Sequence, residues 1–430
     1  MGKLTTFQLF ILGAFVVFTL GGVAAFALFR GVGEETLPPL TMWGTFDTEV
    51  MSGVLSSDLT KEYGLSIRYE EKNIDTIESE LVEALASGNS PDLVLLPHEL
   101  LLQQKNKIFP IPYATYPQRQ FLDTYVESAE VFLAPEGILA MPIAVDPMVM
   151  YWNRTLFSSK GLASPPKTWA DFVTLAPQFN EKNKAENLTR TLVALGESVN
   201  VRNFKDIIST LLLQAGTPIV AYDGNRLKSY LDDNFNYATP PAEAILRFYT
   251  EFSNPSLPHF SWNKSFRDSR DMFLQGDLGV YFGFASELTE IRARNPNLNF
   301  DVAKIPQIKD SKTNLTFART YAVIVPRTSR NLNAALFASQ VLGSKQAFET
   351  LSRYTVLPSV RRDLLSVVQS DPYKSVFSTS AIMSKNWRDP ASDETRIIFA
   401  DMIEAVISGR ERLNGAVSRA NSELESLLSE

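Results

Sequence analysis

The first part of the chain alternates short apolar runs with segments of helical periodicity. Leu40–Gly44 is an apolar run that glycine ends, residues 66–70 form a second short run, and residues 91–96 a third. Between them, residues 50–63 and 74–86 carry apolar side chains three and four positions apart. The pattern therefore predicts strand, helix, strand, helix, strand, which is typical of a parallel sheet covered by helices.

The alternation of strands and helices stops at residues 137–153, where two β-rich runs follow each other with no helix between them. Pro142, Asp146 and Pro147 join the two runs. A chain that leaves one α/β region without a helix and enters another is predicted to cross between two lobes. A new helix is then predicted to begin at Thr168, which can cap it, with Asp171 three residues later.

The second half repeats the α/β pattern and ends in helices. Residues 278–284 and 320–326 read as buried strands, and residues 333–342 and 345–351 as helices. The last part predicts two amphipathic helices, one ending at Gly409 and one over residues 413–428. The fold class expected from the whole pattern is α/β.

An apolar segment precedes the α/β part of the chain. Residues 7–29 are apolar or small apart from Gln8 and Thr19, and 23 residues are enough to cross a bilayer core of about 30 Å. We predict a cytoplasmic tail at 1–6, a transmembrane signal anchor at 7–29 and a linker at 30–39. Ala25 and Ala27 leave open a signal peptide cleaved after Ala27. Either interpretation places the rest outside the cytoplasm, and an uncleaved anchor makes the protein a single-pass protein of the cell membrane.

The composition argues against several classes of function. The 430 residues carry a net charge of -7 and no long basic run, which argues against a nucleic acid partner. The chain has no cysteine and only two histidines, which removes thiolate metal sites and a cysteine nucleophile. We find no phosphate-binding loop, nucleophile elbow or HExxH helix, so we expect no cofactor, no metal and no enzyme activity.

Four stretches carry a resemblance to a known family. They are Trp43-Gly44 after the first strand, SPDLVLLPHE at 90–99, the region 141–172 that contains MPIAVD, YWNRTLF and PPKTWADF, and FLQGD at 273–277. In order and spacing they resemble the extracellular solute-binding proteins of ABC importers, in the family 1 group that includes maltose-binding protein.

The resemblance implies a two-lobed periplasmic-binding-protein type II fold in which both lobes are discontinuous. The implied boundaries are 40–141 and 320–372 for lobe 1, and 146–316 and 377–430 for lobe 2. It also implies a monomer that binds a small solute, with a sugar or oligosaccharide favoured, and delivers it to the permease subunits of an ABC transporter. The alternative function is that of a tethered sensor or adhesion domain. A third hypothesis is a surface hydrolase whose carboxylates are brought together by the fold.

Several polar residues follow predicted strands, at the edge where a parallel sheet binds its ligands. Trp43 can stack on a ligand or pack between helices. Asp47 can bind a hydroxyl or cap a helix, and His98 with Glu99 can form a polar ligand pair or a solvated loop. Asp146 can accept ligand hydroxyls or stabilise the hinge.

Further candidates lie later in the chain, and Arg319 falls at a second predicted crossing between the lobes, near residues 316–320. Arg319 can bind a carboxylate or phosphate with its planar fork, or lie exposed on a loop. Four aromatic residues at strand ends or loops can wall a cleft together or pack in the core: Phe282, Phe284, Tyr321 and Trp387.

Overall fold

A computed structural model describes residues 37–311, 313–367 and 369–429. The predicted cytoplasmic tail, the predicted membrane segment at 7–29 and the first part of the predicted linker lie outside the described residues. Within these ranges, no helix is both long enough and apolar enough to span a bilayer.

The strands are numbered in chain order. They are β1 (Leu40–Gly44), β2 (Ile67–Glu71), β3 (Leu93–Pro97), β4 (Leu133–Ala134), β5 (Gly137–Ile138), β6 (Met141–Asn153), β7 (Glu181–Lys182), β8 (Leu188–Val193), β9 (Val220–Asp223), β10 (Arg226–Ser229), β11 (Leu278–Phe284), β12 (Phe300–Lys304), β13 (Thr316–Ile324) and β14 (Ser384–Lys385).

The α-helices are numbered in the same way. They are α1 (Thr48–Leu55), α2 (Asp58–Glu62), α3 (Ile77–Ser87), α4 (Leu101–Gln104), α5 (Gln118–Thr124), α6 (Arg154–Ser159), α7 (Trp169–Phe179), α8 (Phe204–Gln214), α9 (Pro241–Glu251), α10 (Ser269–Leu274), α11 (Glu287–Arg294), α12 (Leu332–Leu342), α13 (Lys345–Leu351), α14 (Arg362–Leu365), α15 (Pro372–Ile382), α16 (Ser392–Ile407) and α17 (Leu413–Ser429). Short 3₁₀ turns cover His98–Leu100, Lys105–Lys107 and Glu127–Phe132.

One large sheet runs through the protein in the order β2-β1-β3-β13-β6-β11-β8-β7. In what we call lobe 1, β1 pairs in parallel with β2 and β3, as the alternating pattern predicts. Apolar side chains cover both faces of this part, one cluster around Met42 and Leu95 and another around Val94 and Leu96. Burial on both faces explains why β3 is apolar at every position.

What we call lobe 2 surrounds the other end of the sheet. There β11 pairs in parallel with β8 and antiparallel with β6, and β12 pairs with β6. A third apolar cluster forms its core and includes α8, whose residues are all buried. The α/β class and the two-lobed organisation are thus observed.

Two long strands join the lobes. β6 pairs with β13 through residues 141–147 and with β11 and β12 through residues 148–153, so it belongs to both lobes. The sequence predicted two separate runs here, but β6 is one strand of 13 buried residues. The register shifts between Tyr321 and Ala322, opposite Pro142, which is how a proline without an N–H is accommodated inside the sheet.

Two other predicted elements differ from the observed ones. The predicted helix at 50–63 is two helices, because Ser56 and Ser57 turn back onto α1 by donating to the carbonyls of Ser52 and Val54. Strand β13 begins at Thr316 rather than at residue 320, since Thr316 and Phe317 pair with β14. The predicted lobe boundaries remain a prediction.

Candidate functional site

The loop after β1 forms one wall of a cavity between the lobes. Gly44 ends the strand where a side chain would lie 2.8 Å from Leu95 and from the Tyr69 hydroxyl, so only glycine fits. That hydroxyl donates to the Phe46 carbonyl at 2.7 Å and holds the loop in place. The Phe46 ring meets the Tyr321 ring edge to face, with centroids 4.9 Å apart.

We call this cavity the aromatic chamber. Its volume is about 530 Å³, and both lobes contribute to it. Its lining residues are Thr45, Phe46, Asp47, Val50, Ser286, Thr289, Tyr321, Arg353, Tyr354, Thr355, Val356, Leu357 and Lys374. Three aromatic rings beside hydroxyls and charged groups are suited to a ligand with both an apolar face and hydroxyls.

A second cavity, which we call the charged chamber, lies between the end of β3 and the start of α8. Its volume is about 340 Å³. Its lining residues are Glu99, Ser198, Val199, Val201, Arg202, Asn203, Phe204, Lys205, Asp206, Asp268, Arg319, Ser392 and Arg396. Arg319 and Tyr321 lie two positions apart on β13 and so share a face, one lining each chamber.

Arg319 is the charged centre of this region. Its Nε donates to Glu99 Oε1 at 3.1 Å and its Nη2 to Asp206 Oδ2 at 3.4 Å. The guanidinium carbon lies 4.0 Å from the centre of the Phe284 ring. Burial raises the pKa of Glu99, but the charge and hydrogen bond of Arg319 together with smaller contributions from His98 and Lys205 outweigh burial, and the pKa lies below its ordinary value. Burial raises the pKa of Asp206 to about 6, although Arg319 opposes the shift.

Asp146 lies on β6 and is 1% exposed. Its Oδ1 accepts from the backbone N–H of Ser286 at 3.0 Å, which ties lobe 2 to the hinge. Its Oδ2 has no hydrogen-bond partner among the described residues, and neither has the buried Oγ1 of Thr45. Burial raises the pKa of Asp146 to about 6. Thr45 lines the aromatic chamber and Asp146 contacts its lining residue Ser286, so two buried oxygens that lack a partner in the described part of the chain lie beside this chamber.

A buried ion pair lies at the wall of the charged chamber, which Lys205 lines. The Lys205 ammonium pairs with Asp389 and also donates to the Thr395 hydroxyl at 2.8 Å and to the Ser392 carbonyl at 2.9 Å. The same Thr395 hydroxyl donates to Asp389 Oδ1 at 2.8 Å. These contacts fix the start of α8 against α16.

His98 lies behind the cleft rather than in it. Its Nδ1 accepts from the Thr320 N–H at 3.3 Å, and its ring lies 5.8 Å from that of Phe317. Burial lowers the pKa of His98 to about 4, so the imidazole is neutral near pH 7. The contacts place it in a structural role at the hinge.

Three predicted aromatic residues pack away from both chambers. Trp43 contacts the lobe 1 core, and the Lys72 ammonium lies 4.0 Å above its ring. Phe282 packs against Trp169 with ring centres 5.1 Å apart. Trp387 stacks on Phe399. Side chains alternate between the faces of a strand, which carries Trp43 to the face opposite the Met42 core.

The structure brings together Glu99, Asp146, Phe284, Arg319 and Tyr321, and it places exposed Asp47 on the rim of the aromatic chamber. Sequence reasoning missed Phe46, Tyr354, Lys205, Asp206 and Asp389. Of these residues, only Phe46 could have been singled out from the sequence, because it lies in the loop that follows the predicted first strand. A metal cannot be assigned, because the described residues hold no group of three His, Asp or Glu side chains placed to bind one.

Two lobes around a cleft with ligand-sized chambers define a binding protein. The family model of bacterial extracellular solute-binding proteins matches residues 48–347, and the chain belongs to that family, in its family 1 group. Curated relatives include binding proteins of Brucella abortus (strain 2308) and Brucella suis biovar 1 (strain 1330), each 23% identical over 277 residues. The alignment covers 63% of this chain and 63% of each relative's length.

Solved structures share the fold over nearly the whole chain. A cyclo/maltodextrin-binding protein complexed with maltotetraose aligns with a TM-score of 0.73 at 16% identity, covering 92% of this chain and 98% of its own. An ABC transporter solute-binding protein of Thermotoga lettingae TMO, bound with alpha-D-tagatose, gives 0.66 at 20% identity over 91% and 99%. A maltotriose-binding protein of Thermus thermophilus gives 0.63 at 15% over 90% and 99%. At these identities the likeness establishes the fold.

Proposed function

We propose that the protein is a membrane-tethered, extracytoplasmic binding protein that captures a sugar or oligosaccharide between its lobes and delivers it to an ABC permease. The aromatic chamber is the observation that supports a sugar ligand. Phe46, Tyr321 and Tyr354 supply faces on which the C–H side of a sugar ring can stack, and Asp146 Oδ2 and Thr45 Oγ1 can accept its hydroxyl hydrogens.

The size of the chamber favours a short ligand. A volume of about 530 Å³ lies within the usual range for small-molecule sites of roughly 300–1,000 Å³. The named ligands of the neighbouring structures are a tagatose, a maltotriose and a maltotetraose, which supports the sugar class without choosing among its members. Asp47, Asp146 and Tyr321 would contact the sugar, and Glu99 with Arg319 would close the inner end of its site.

The same proposal covers location, partner and chemistry. Residues 7–29 would hold the protein at the membrane as a single-pass anchor, with the binding lobes outside the cytoplasm, where an ABC permease receives the solute. The protein would work as a monomer. It would act by binding alone, and three of its largely buried carboxylates are engaged in ion pairs, Glu99 and Asp206 with Arg319 and Asp389 with Lys205.

A sugar panel tests the proposal directly. Purified residues 37–430 are titrated with monosaccharides and with malto- and manno-oligosaccharides by calorimetry, and thermal unfolding is followed in parallel. We expect one class to bind with a heat signal and to raise the unfolding temperature as its concentration rises above the dissociation constant. A matched variant, Asp146→Asn, should bind this class more weakly. The absence of binding across the panel would contradict a sugar ligand.

A further inference from the structure

Arg319 is shared by two carboxylates that belong to different lobes. Glu99 follows β3 in lobe 1, and its Oε1 lies 3.1 Å from Arg319 Nε. Asp206 lies in the first turn of α8 in lobe 2, and its Oδ2 lies 3.4 Å from Arg319 Nη2. A single guanidinium on the hinge strand β13 therefore connects the lobes across the charged chamber. We call this arrangement the Arg319 bridge.

The Arg319 bridge is sheltered from water. The side chains of Glu99 and Asp206 are 14% and 8% exposed, and that of Arg319 is 32% exposed. The ring of Phe284 covers one side of the guanidinium. Ion pairs at exposed positions contribute little because water screens them, whereas partly buried pairs with hydrogen-bond geometry interact more strongly.

The Arg319 bridge depends on how close the lobes are. Both carboxylates can reach the same guanidinium only while the ends of β3 and α8 face each other across the chamber. If the lobes separate, Arg319 can follow Glu99 or Asp206, and the other carboxylate loses its partner. The pairs therefore stabilise the arrangement in which the lobes are together. The pair of Lys205 with Asp389 joins α8 to the segment before α16 and does not depend on Glu99.

We propose that the Arg319 bridge sets the ratio of closed to open protein before any solute arrives. This inference rests on the proposed function for its consequence. The apparent affinity of a solute that binds the closed form is proportional to the fraction of protein that is already closed. If weakening the bridge lowers this fraction, the apparent affinity falls by the same factor as the fraction. The bridge itself can be measured without a solute.

The absence of cysteine from the sequence provides a direct test. Glu83→Cys on α3 and Arg247→Cys on α9 place one spin label on each lobe, at exposed positions. Pulsed electron paramagnetic resonance then measures the distance between the labels in solute-free protein. We expect Asp206→Asn and Glu99→Gln each to raise the open-to-closed ratio by about fivefold or more, as expected for loss of one charged hydrogen bond.

The control removes an ion pair of the same length within one lobe. Asp277→Asn breaks the 3.4 Å pair with Arg190, and both residues lie in lobe 2, so the distance distribution should not change. Arg319→Lys keeps the charge but loses the planar fork, and it should fall between wild type and the two carboxylate variants. If Asp206→Asn fails to fold, Glu99→Gln and Arg319→Lys decide.

Two outcomes separate this inference from the proposed function. If the folded carboxylate variants keep the wild-type distance distribution, whether it is mostly open or mostly closed, the Arg319 bridge does not set the ratio and the inference is overturned. If the distribution shifts as expected while no sugar binds, the bridge stands and the sugar ligand is contradicted.

Discussion

Arg319 and Asp146 lie directly opposite each other where β13 pairs with β6, yet no ion pair within 4 Å joins their side chains in the described structure. Arg319 reaches outward to Glu99 and Asp206, while Asp146 accepts from the N–H of Ser286. The hinge thus carries two separate polar links to lobe 2. One uses charge and the other a backbone hydrogen bond, so the two can be perturbed independently.

The pKa of Asp146 predicts a specific dependence of stability on pH. Burial raises its pKa to about 6, with Arg319 lowering it and Glu287 raising it further. Because the folded pKa exceeds the unfolded value of about 3.8, the folded state holds this proton more tightly. The resulting stability is complete below the unfolded pKa and is lost as pH rises through 6, by about 3 kcal/mol from this one group.

Asp146→Asn should remove this component while it keeps an oxygen that can accept from Ser286. Urea unfolding at pH 4, 5, 6 and 7 measures it. We expect the stability of the variant, relative to wild type, to improve as pH rises from 4 to 7. A constant difference across these pH values would show that Asp146 titrates at its ordinary pKa.

The buried pair of Lys205 and Asp389 predicts a large stability effect. The two side chains are 9% and 2% exposed. Lys205→Met leaves Asp389 buried without its cation and should lower the free energy of unfolding by about 3–5 kcal/mol. Lys264→Met is the control, because Lys264 and its partner Glu404 are 48% and 34% exposed and should contribute about 1 kcal/mol or less. Equal losses in chemical denaturation would contradict a structural role for the buried pair.

The sequence singled out Glu99, Asp146 and Arg319 because each lies at or near the end of a predicted strand. In the structure Glu99 does follow β3, whereas Asp146 and Arg319 lie inside β6 and β13, where these strands pass between the lobes. Asp206 gave no such signal. It begins a helix that is buried on all sides, and its partner Arg319 is 113 residues away in sequence.

The strand pattern also explains why the sequence left two roles open for Trp43. In β1, Leu40, Met42 and Gly44 are buried and the residues between them are half-buried, so the pattern identifies two faces without telling which one leads into the cleft. The close approach of Leu95 to Gly44 and the hydrogen bond from Tyr69 turn the chain so that Phe46 enters the cavity instead. Neither contact can be read from the residues of β1 alone.

The apolar segment at residues 7–29 predicts that full-length protein fractionates with membranes. Its 23 residues are enough for a bilayer core, whereas a cleaved signal usually has an apolar region of about 7–15 residues. Mass spectrometry of the membrane fraction should find the intact N-terminus, and a variant lacking residues 1–36 should be released from the membrane. A mature N-terminus at Leu28 would show cleavage after Ala27 instead.

Replacement of Tyr321 should affect binding more than folding, and replacement of Trp43 the reverse. The Tyr321 ring lines the aromatic chamber, so Tyr321→Ala removes a stacking surface and should weaken sugar binding by about 1–3 kcal/mol, by analogy with other aromatic stacking platforms. Tyr321→Phe keeps the ring and should retain most of the affinity. Trp43 lines neither chamber and packs on the lobe 1 core under Lys72.

Trp43→Ala should therefore lower the free energy of unfolding by about 2–4 kcal/mol, somewhat less than for a fully buried tryptophan, and leave affinity nearly unchanged. Calorimetry with the sugar identified in the panel, paired with urea unfolding of each ligand-free variant, separates the two effects. The opposite result, in which Trp43→Ala loses binding and Tyr321→Ala loses only stability, would show that the ligand does not bind in the aromatic chamber. The Trp43 ring packs on the lobe 1 core and lies outside that chamber.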